Sequence, residues 1–354
     1  MIQPKYFSMA ENTICCSLCP RKCSIPQGGC GKCLVRLNSS GKPEIPYNGF
    51  ISSIGIDPIE KKPLYHFRPG TQILSVGFTG CNLHCPFCQN WRISQRADVP
   101  GRKMHPKELV REAEKTAEPI SVEQASIEGK QVSGSALAYT YSEPLIHIEY
   151  LLECMKKAKE AGVANVLVSN GCINIEAASE VLDLCDAANI DLKCFKDETY
   201  KNVLGGDLSC VIGFIHTALE KNVHLELTTL IVPGLNDSKE ELESITDFIL
   251  DLQKVDRKIP WHLSAYHPSY KWNVKATDPS FIVAAAEHAR EKLEYVYTGN
   301  IAADKNTHCS FCKKNLVNRQ SFMVDAKGLS LKEDNGKYFY HCAYCGERVP
   351  IRFS

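Results

Sequence analysis

The sequence has no charge imbalance: 41 lysines and arginines face 41 aspartates and glutamates. With no excess of either sign there is no electrostatic footprint for nucleic acid or for an anionic membrane surface. Long apolar runs are missing as well, and none approaches the roughly 18 residues that a membrane-spanning helix requires. Residues 1–11 lack a basic stretch followed by an apolar one, so no secretory signal is expected and the setting is read as cytoplasmic. Hydrophobic periodicity is scarce over residues 12–36. The Pro- and Gly-rich residues 37–70 read as an irregular lead-in, with Lys61 and Lys62 a solvated pair.

Against these absences stands an abundance of cysteine, 18 in 354 residues. Without a secretory signal, metal binding or redox chemistry is the better use of so many thiols than disulfides. Thirteen of the 18 fall into groups at residues 15–33, 81–88 and 309–345. Cys154, Cys172, Cys185, Cys194 and Cys210 are scattered, and are expected to be small buried apolar groups.

In the first group Cys16, Cys19, Cys23 and Cys33 suffice for a zinc ion or an iron–sulfur cluster, and the spacing does not choose between them. Cys15 and Cys30 are then surplus, unless Cys30 replaces one of the four. In the last group Cys309-x2-Cys312 and Cys342-x2-Cys345, with 29 residues between them, have the spacing of zinc ribbons and rubredoxins. Four thiolates close the coordination sphere, so a structural role for zinc or iron is expected there.

The middle group differs. Cys81-x3-Cys85-x2-Cys88 lies on one short loop after the apolar run Ile73–Phe78. A four-iron cluster normally takes four thiolates, so three ligands leave one iron open, as catalytic metal sites require. A zinc site completed by His84 is the competing use of these thiols.

From residue 72 onward strand and helix patterns alternate, with strands read at 72–79, 136–141, 164–169, 188–193, 224–232 and 260–266. Between them Leu145, Ile148, Leu151, Leu152 and Met155 fall at helical spacing, as do Leu242, Ile245, Phe248, Ile249 and Leu252. Ser238 with Glu241 reads as a capping box, and Asp278-Pro279 as an N-cap with proline at N1. Six βα repeats predict a parallel sheet in a partial, open (β/α)6 barrel of the TIM type, with its chemistry at the C-terminal strand ends. The expected division is a Cys-rich segment and lead-in over 1–70, the barrel over 71–303 and a four-Cys knuckle unit over 304–354. The polar residues 118–134 read as an exposed surface insertion.

Several of these segments together resemble the radical S-adenosylmethionine (SAM) enzymes, and in particular pyruvate formate-lyase activating enzymes. The resemblance is carried by Cys81-x3-Cys85-x2-Cys88, Ala138-Tyr139-Thr140-Tyr141-Ser142-Glu143-Pro144, Ser169-Asn170-Gly171, Asp191-Leu192-Lys193, Leu230–Asp237 and His267-Pro268. It implies that Cys81, Cys85 and Cys88 hold a [4Fe-4S] cluster whose open iron takes the amino and carboxylate groups of SAM. It further implies that Glu143 holds the ammonium, that Ser169, Asn170, Asp191 and Lys193 contact the ribose and the methionine carboxylate, and that His267 binds the carboxylate. Phe87 would face the adenine.

Cys16-Ser17-Leu18-Cys19-Pro20-Arg21-x-Cys23, Asp57–Phe67, Cys88-Gln89-Asn90-Trp91 and the terminal knuckles extend the resemblance over nearly the whole chain. There it is to the radical enzymes of the AmmeMemoRadiSam system, which implies Memo-type and AMMECR-type partner proteins and a reductant such as flavodoxin or ferredoxin. The leading reading is hydrogen abstraction from an unidentified small-molecule or protein substrate. A glycyl-radical activase is the second reading, and a non-enzymatic iron or zinc carrier or redox protein the third.

Overall fold

The computed structural model describes residues 3–10, 13–98, 101–116, 126–127, 130–131, 135–253, 257–320, 323–334 and 337–352. Segment 118–134 lies outside them except for the paired strands Ser126–Ile127 and Lys130–Gln131. In the N-terminal segment β1 (Phe7–Ala10), β2 (Thr13–Cys16) and β3 (Ser24–Pro26) form a small antiparallel sheet. The central sheet then comprises β4 (Ser53–Pro58), β5 (Gln72–Gly77), β6 (Ala136–Thr140), β7 (Ala164–Ser169), β8 (Ala187–Asp191), β9 (His224–Ile231), β10 (Trp261–Ala265) and β11 (Val296–Gly299). Its order is β11-β10-β9-β8-β7-β6-β5-β4, with no pairing between the two edges among the described residues. Every neighbouring pair is parallel except β4 with β5.

All six expected strands are present, and the open sheet is longer than expected by one strand at each edge. β11 is only four residues long. β4 lies inside the stretch read as irregular lead-in, and its Ser-Ile-Gly-Ile-Asp-Pro pattern is weak because Ile54 and Ile56 remain 51% and 59% exposed. An apolar alternation whose apolar face is not covered gives little sequence signal.

Helices α1 (Pro106–Lys115), α2 (Ile148–Glu160), α3 (Ile175–Leu182), α4 (Leu208–Glu220), α5 (Lys239–Leu252) and α6 (Pro279–Arg290) connect the strands. Ser238 Oγ accepts from Glu241 N to start α5, and Asp278 accepts from Ser280 N with Pro279 in the first turn of α6. No single helix among the described residues is long and apolar enough to cross a membrane.

The strand registers sort side chains by face. Leu74, Val76, Leu137, Tyr139, Leu167, Ile190 and Leu227 alternate onto the outer face and join the large core beneath the helices. The inner face is lined low down by Ala136, Ala138, Ala164, Val166 and Ala187, small side chains that admit Ile59, Leu64 and Phe67 from the segment before β5. That segment closes the floor of the barrel, below the N-terminal ends of the strands.

The floor also holds a polar network. Glu226, fully buried on β9, accepts from Tyr65 N (3.0 Å), His66 N (2.7 Å), His224 Nε2 (3.0 Å) and His262 Nε2 (2.7 Å). Burial opposes its charge, but the two histidines hold it well below the usual carboxylate range.

The C-terminal unit docks on this floor. Arg319 donates to Tyr65 O at 2.6 Å and to Thr307 Oγ1 at 2.8 Å, while Arg68 N donates to Arg352 O and Arg352 N to His66 O. The four-thiol unit thus braces the end of the barrel opposite the strand C-termini. Lys62, expected in solvent, is instead 2% exposed, paired with Asp57 at 2.8 Å and seated 4.5 Å from the Tyr141 ring centroid. Lys62 is drawn inward because Asp57 on β4 is largely buried and needs a counter-charge.

Candidate active site

The cysteine loop leaves β5 through two glycines whose surroundings leave no room for a side chain. A Cβ on Gly77 would meet Tyr141 Cδ2 at 2.9 Å. Gly80 has φ +88, and a Cβ there would meet Cys33 O at 2.3 Å, because the N-terminal segment packs directly behind the loop. The loop then carries Cys81, Cys85 and Cys88 above the sheet. Polar donors converge on their sulfurs: Leu83 N lies 3.3 Å from Cys81 Sγ, Asn170 Nδ2 3.7 Å from the same atom, and Ser94 Oγ 3.2 Å from Cys88 Sγ. Ser94 belongs to a single helical turn, Trp91–Ser94, and nothing in the sequence marked it.

The next strand ends supply charge. Glu143, after β6, is 1% exposed, and accepts from Leu145 N (3.0 Å), Ser169 Oγ (2.7 Å) and Asn170 N (2.9 Å). Burial pushes its carboxyl up to about 7 against the pull of those three bonds. Three of about four lone-pair positions are filled from the protein, so one remains for a ligand.

Lys193 stands two residues beyond the end of β8 and pairs with Asp191 at 3.0 Å. Burial works against the ammonium, yet Asp191 beside it carries its pKa above the ordinary lysine value. Lys193 in turn draws on the Cys85 thiol, which burial still leaves pushed up to about 11. Asn236, in the loop after β9, fixes this corner by donating to Lys193 O at 2.6 Å and to Leu230 O at 2.8 Å.

The loop after β10 clamps the cysteine loop from the far side. Lys271 N donates to Pro86 O, Ser269 Oγ to Cys88 O, and the Tyr270 ring stacks on Trp91 at 5.3 Å. Phe87 is buried, edge-on to Trp272 at 6.4 Å. His267 begins the same loop and is exposed. The structure therefore gathers Cys81, Cys85, Cys88, Glu143, Ser169, Asn170, Asp191 and Lys193 at one end of the sheet, with His267 at its rim.

The donor set suits an anionic cluster: three thiols, no acidic side chain on the loop, and N–H or O–H groups aimed at the sulfurs. Asn170, one of the residues expected beside the ribose and the methionine carboxylate, also reaches a thiol, with Nδ2 3.7 Å from Cys81 Sγ. Replacing Asn170 by Leu is expected to make the loop's cluster harder to reduce, by roughly 60 mV, since a donor to a thiolate favours the more negative reduced state by about 1.4 kcal/mol. Redox titration followed by electron paramagnetic resonance (EPR) checks this; an unchanged potential would show that the 3.7 Å contact is idle.

Far from this end, Cys309 Sγ lies 3.6 Å from Cys345 Sγ and Cys312 Sγ 3.6 Å from Cys342 Sγ, and all four are mutually within 4.8 Å. Tetrahedral bonds of about 2.3 Å to one ion put thiolates about 3.8 Å apart, so this site fits a single metal ion. Gly346 beside it has φ +78. Cys154, Cys172, Cys185 and Cys194 are buried, Cys210 partly so, and all 18 cysteines are free thiols.

Comparison with known proteins follows the same lines. A family model described as the Radical SAM superfamily matches residues 75–249. An uncharacterized protein of Methanocaldococcus jannaschii is 35% identical over 98% of this chain and 98% of its own length. The pyruvate formate-lyase-activating enzyme of Clostridium pasteurianum is 25% identical over 64% of this chain and 90% of its own. Among solved structures, SuiB of Streptococcus suis bound to S-adenosylmethionine aligns with 69% of this chain and 53% of its own at 12% identity and a TM-score of 0.49.

Proposed function

We propose, from the premise that this chain belongs to the radical SAM superfamily, how its own residues run that chemistry. When bound, the [4Fe-4S] cluster and SAM supply one-electron cleavage of the sulfonium to methionine and a 5′-deoxyadenosyl radical, which takes a hydrogen atom from the substrate. Cys81, Cys85 and Cys88 hold the cluster, with Leu83 N, Asn170 and Ser94 donating to the thiolates. Lys193, kept charged by Asp191, receives the methionine carboxylate, and the free position on Glu143 receives the ammonium. Ser169 and Asn170 orient Glu143 from the neighbouring strand end. Phe87 and the 269–272 clamp exclude water on the loop's far side, as a site that forms so reactive a species requires. His267, exposed at the rim of this site, is assigned to the carboxylate on the strength of the family resemblance.

The observation that carries this reading is the convergence of three thiols with the Glu143 and Asp191–Lys193 charges at the C-terminal ends of β5, β6 and β8, on one end of the sheet. The experiment is anaerobic reconstitution, reduction and addition of SAM, with 5′-deoxyadenosine measured in wild type and Cys88→Ala. Nucleoside in the wild type and none above background in the variant is the expected result; equal amounts in both would overturn it.

The likeness to pyruvate formate-lyase activating enzymes supports a narrower reading, in which the hydrogen comes from a glycine of a partner protein. Deuterium moving from a glycine-labelled partner into the nucleoside would establish it. The whole-chain resemblance supports Memo-type and AMMECR-type partners, a flavodoxin or ferredoxin reductant and a cytoplasmic setting. The terminal four-thiol site is a structural zinc or iron site that braces the barrel floor.

A further inference from the structure

We propose that Cys16, Cys19, Cys23 and Cys33 hold a second iron–sulfur cluster, which hands electrons one at a time to the cluster on the 81–88 loop. The direction of flow rests on the radical-enzyme reading; the cluster itself does not.

The four thiols line one cavity, which Arg36 and Asn82 complete. The backbone builds it. Cys16 N donates to Cys23 O at 2.9 Å and Lys22 N to Cys19 O at 3.1 Å, curling the Cys19–Cys23 turn back onto β2. A second turn, Leu34 N to Gly31 O at 2.9 Å, brings Cys33 across. The two surplus cysteines fall outside: Cys15 alternates onto the opposite face of β2 from Cys16, and Cys30 is exposed.

Two features favour a cluster over a single ion. Among the described residues, the terminal knuckles are the group of three or more ligands whose atoms gather within 4.8 Å. The N-terminal four stand wider apart, as do the three of the 81–88 loop. Wider spacing is what a cluster demands, because iron and sulfide atoms lie between its thiolates. The second feature is Arg36, 1% exposed, whose Nε has no hydrogen-bond partner although the cavity lies beside it. Its other nitrogens hold Glu149 at 3.1 and 3.0 Å. Glu149 already balances the guanidinium charge, so what Arg36 offers the cavity is the unpartnered Nε–H, a buried donor beside the thiols that a cluster sulfur would accept from.

The cavity backs onto the 81–88 loop. Asn82 forms part of its wall and is the residue after Cys81. Arg21 Nε holds Asn82 O at 3.0 Å, and Asn170 Nδ2 touches both Asn82 Oδ1 (3.0 Å) and Cys81 Sγ (3.7 Å). On the outer side Cys19 and Cys23 are partly exposed, beside the exposed Lys22 and Lys32. Electrons therefore have a cationic outer face to arrive at and a one-residue wall to cross. A low-potential carrier protein gives up one electron to the second cluster; that cluster passes it to the first and returns to its oxidised state, with no proton moved and no bond changed.

The decisive protein is the full chain with Cys81→Ser, Cys85→Ser and Cys88→Ser, reconstituted anaerobically. It is expected to retain about four acid-labile sulfides where wild type holds about eight, and an EPR signal that SAM does not alter. The terminal site contributes no sulfide, since a single ion has none. A triple variant without sulfide would overturn the proposal whatever the nucleoside assay gives. Wild type with both clusters and no nucleoside would sink the radical reading and leave the second cluster standing.

The relay is tested separately with Cys16→Ser/Cys33→Ser. Reduction of the loop cluster by the carrier protein should slow by an order of magnitude or more, while photoreduction by a small molecule is unchanged. An unchanged carrier rate would overturn the relay. Cys15→Ser/Cys30→Ser should behave as wild type, and loss of sulfide there would move the ligand set.

Discussion

Glu226→Gln is expected to lower the free energy of unfolding by about 3–5 kcal/mol, the usual cost of breaking a buried charged network by removing one member. The carboxylate satisfies four donors at once, two of them the backbone amides of Tyr65 and His66. An amide offers one acceptor oxygen in place of two and turns an NH2 group toward N–H donors, so some buried donors lose their partner and others face a donor. Because Arg319 hangs on Tyr65 O and Arg352 on His66 O, the damage should reach the C-terminal unit. Urea unfolding measures the first effect, and proteolysis of the 304–352 region the second. A loss under about 1 kcal/mol would mean that water or a shifted histidine replaces the carboxylate, and that the floor is not what joins barrel and knuckle.

That network shows where the sequence stopped being informative. The strands were legible because both sheet faces are buried and their apolar runs are bounded by turn residues. The caps at Ser238 and Asp278 were legible because they act within four residues of themselves. Cys81, Cys85 and Cys88 were legible because ligand spacing on one loop is local.

Glu226, His224, His262 and His66 carry no such mark. They lie on three separate segments, and each alone looks like an ordinary polar residue in a strand or loop. Only the register β9–β10, which sets Thr228 opposite His262, and the return of the 59–68 segment bring them together. Ser94 and Asn170 were hidden differently, since what matters is their distance to a sulfur on another element. The four N-terminal thiols fall between these cases. Their spacing suggested a metal but left zinc and cluster open, and the proposal of a cluster rests on the separation of the sulfurs and the position of Arg36.

Acidification supplies the other large effect, and buried histidines and buried carboxyls pull it in opposite senses, with His84 lowered and Glu60 raised by burial alongside the groups that follow. His66 is fully buried with Nε2 2.7 Å from Tyr297 Oη, and burial lowers its pKa to about 3. His147 lies 2.7 Å from Thr79 O, and burial lowers it to about 4. Both fold neutral, while an unfolded histidine takes a proton near 6.5. The unfolded chain therefore binds more protons below that pH, and stability present above 6.5 is lost as pH falls toward 4 and 3. At pH 5 each histidine should cost about 2 kcal/mol.

Glu143 acts in the opposite sense. Its carboxyl titrates near 7 when folded and at an ordinary acidic value when unfolded, so the folded chain takes up the proton first and gains stability between pH 7 and about 4.5. By pH 5 that gain offsets roughly half of the histidine loss. The apoprotein should thus lose about 2 kcal/mol between pH 7 and pH 5, and the Glu143→Gln apoprotein about 4. Urea midpoints at the two pH values give both numbers. A Glu143→Gln protein no more acid-sensitive than wild type would show that Glu143 is already ionised in the folded chain at neutral pH, held as a carboxylate by the Ser169, Asn170 and Leu145 donors. The ammonium of SAM would then meet a charge already in place, and its binding at neutral pH would release no proton from Glu143.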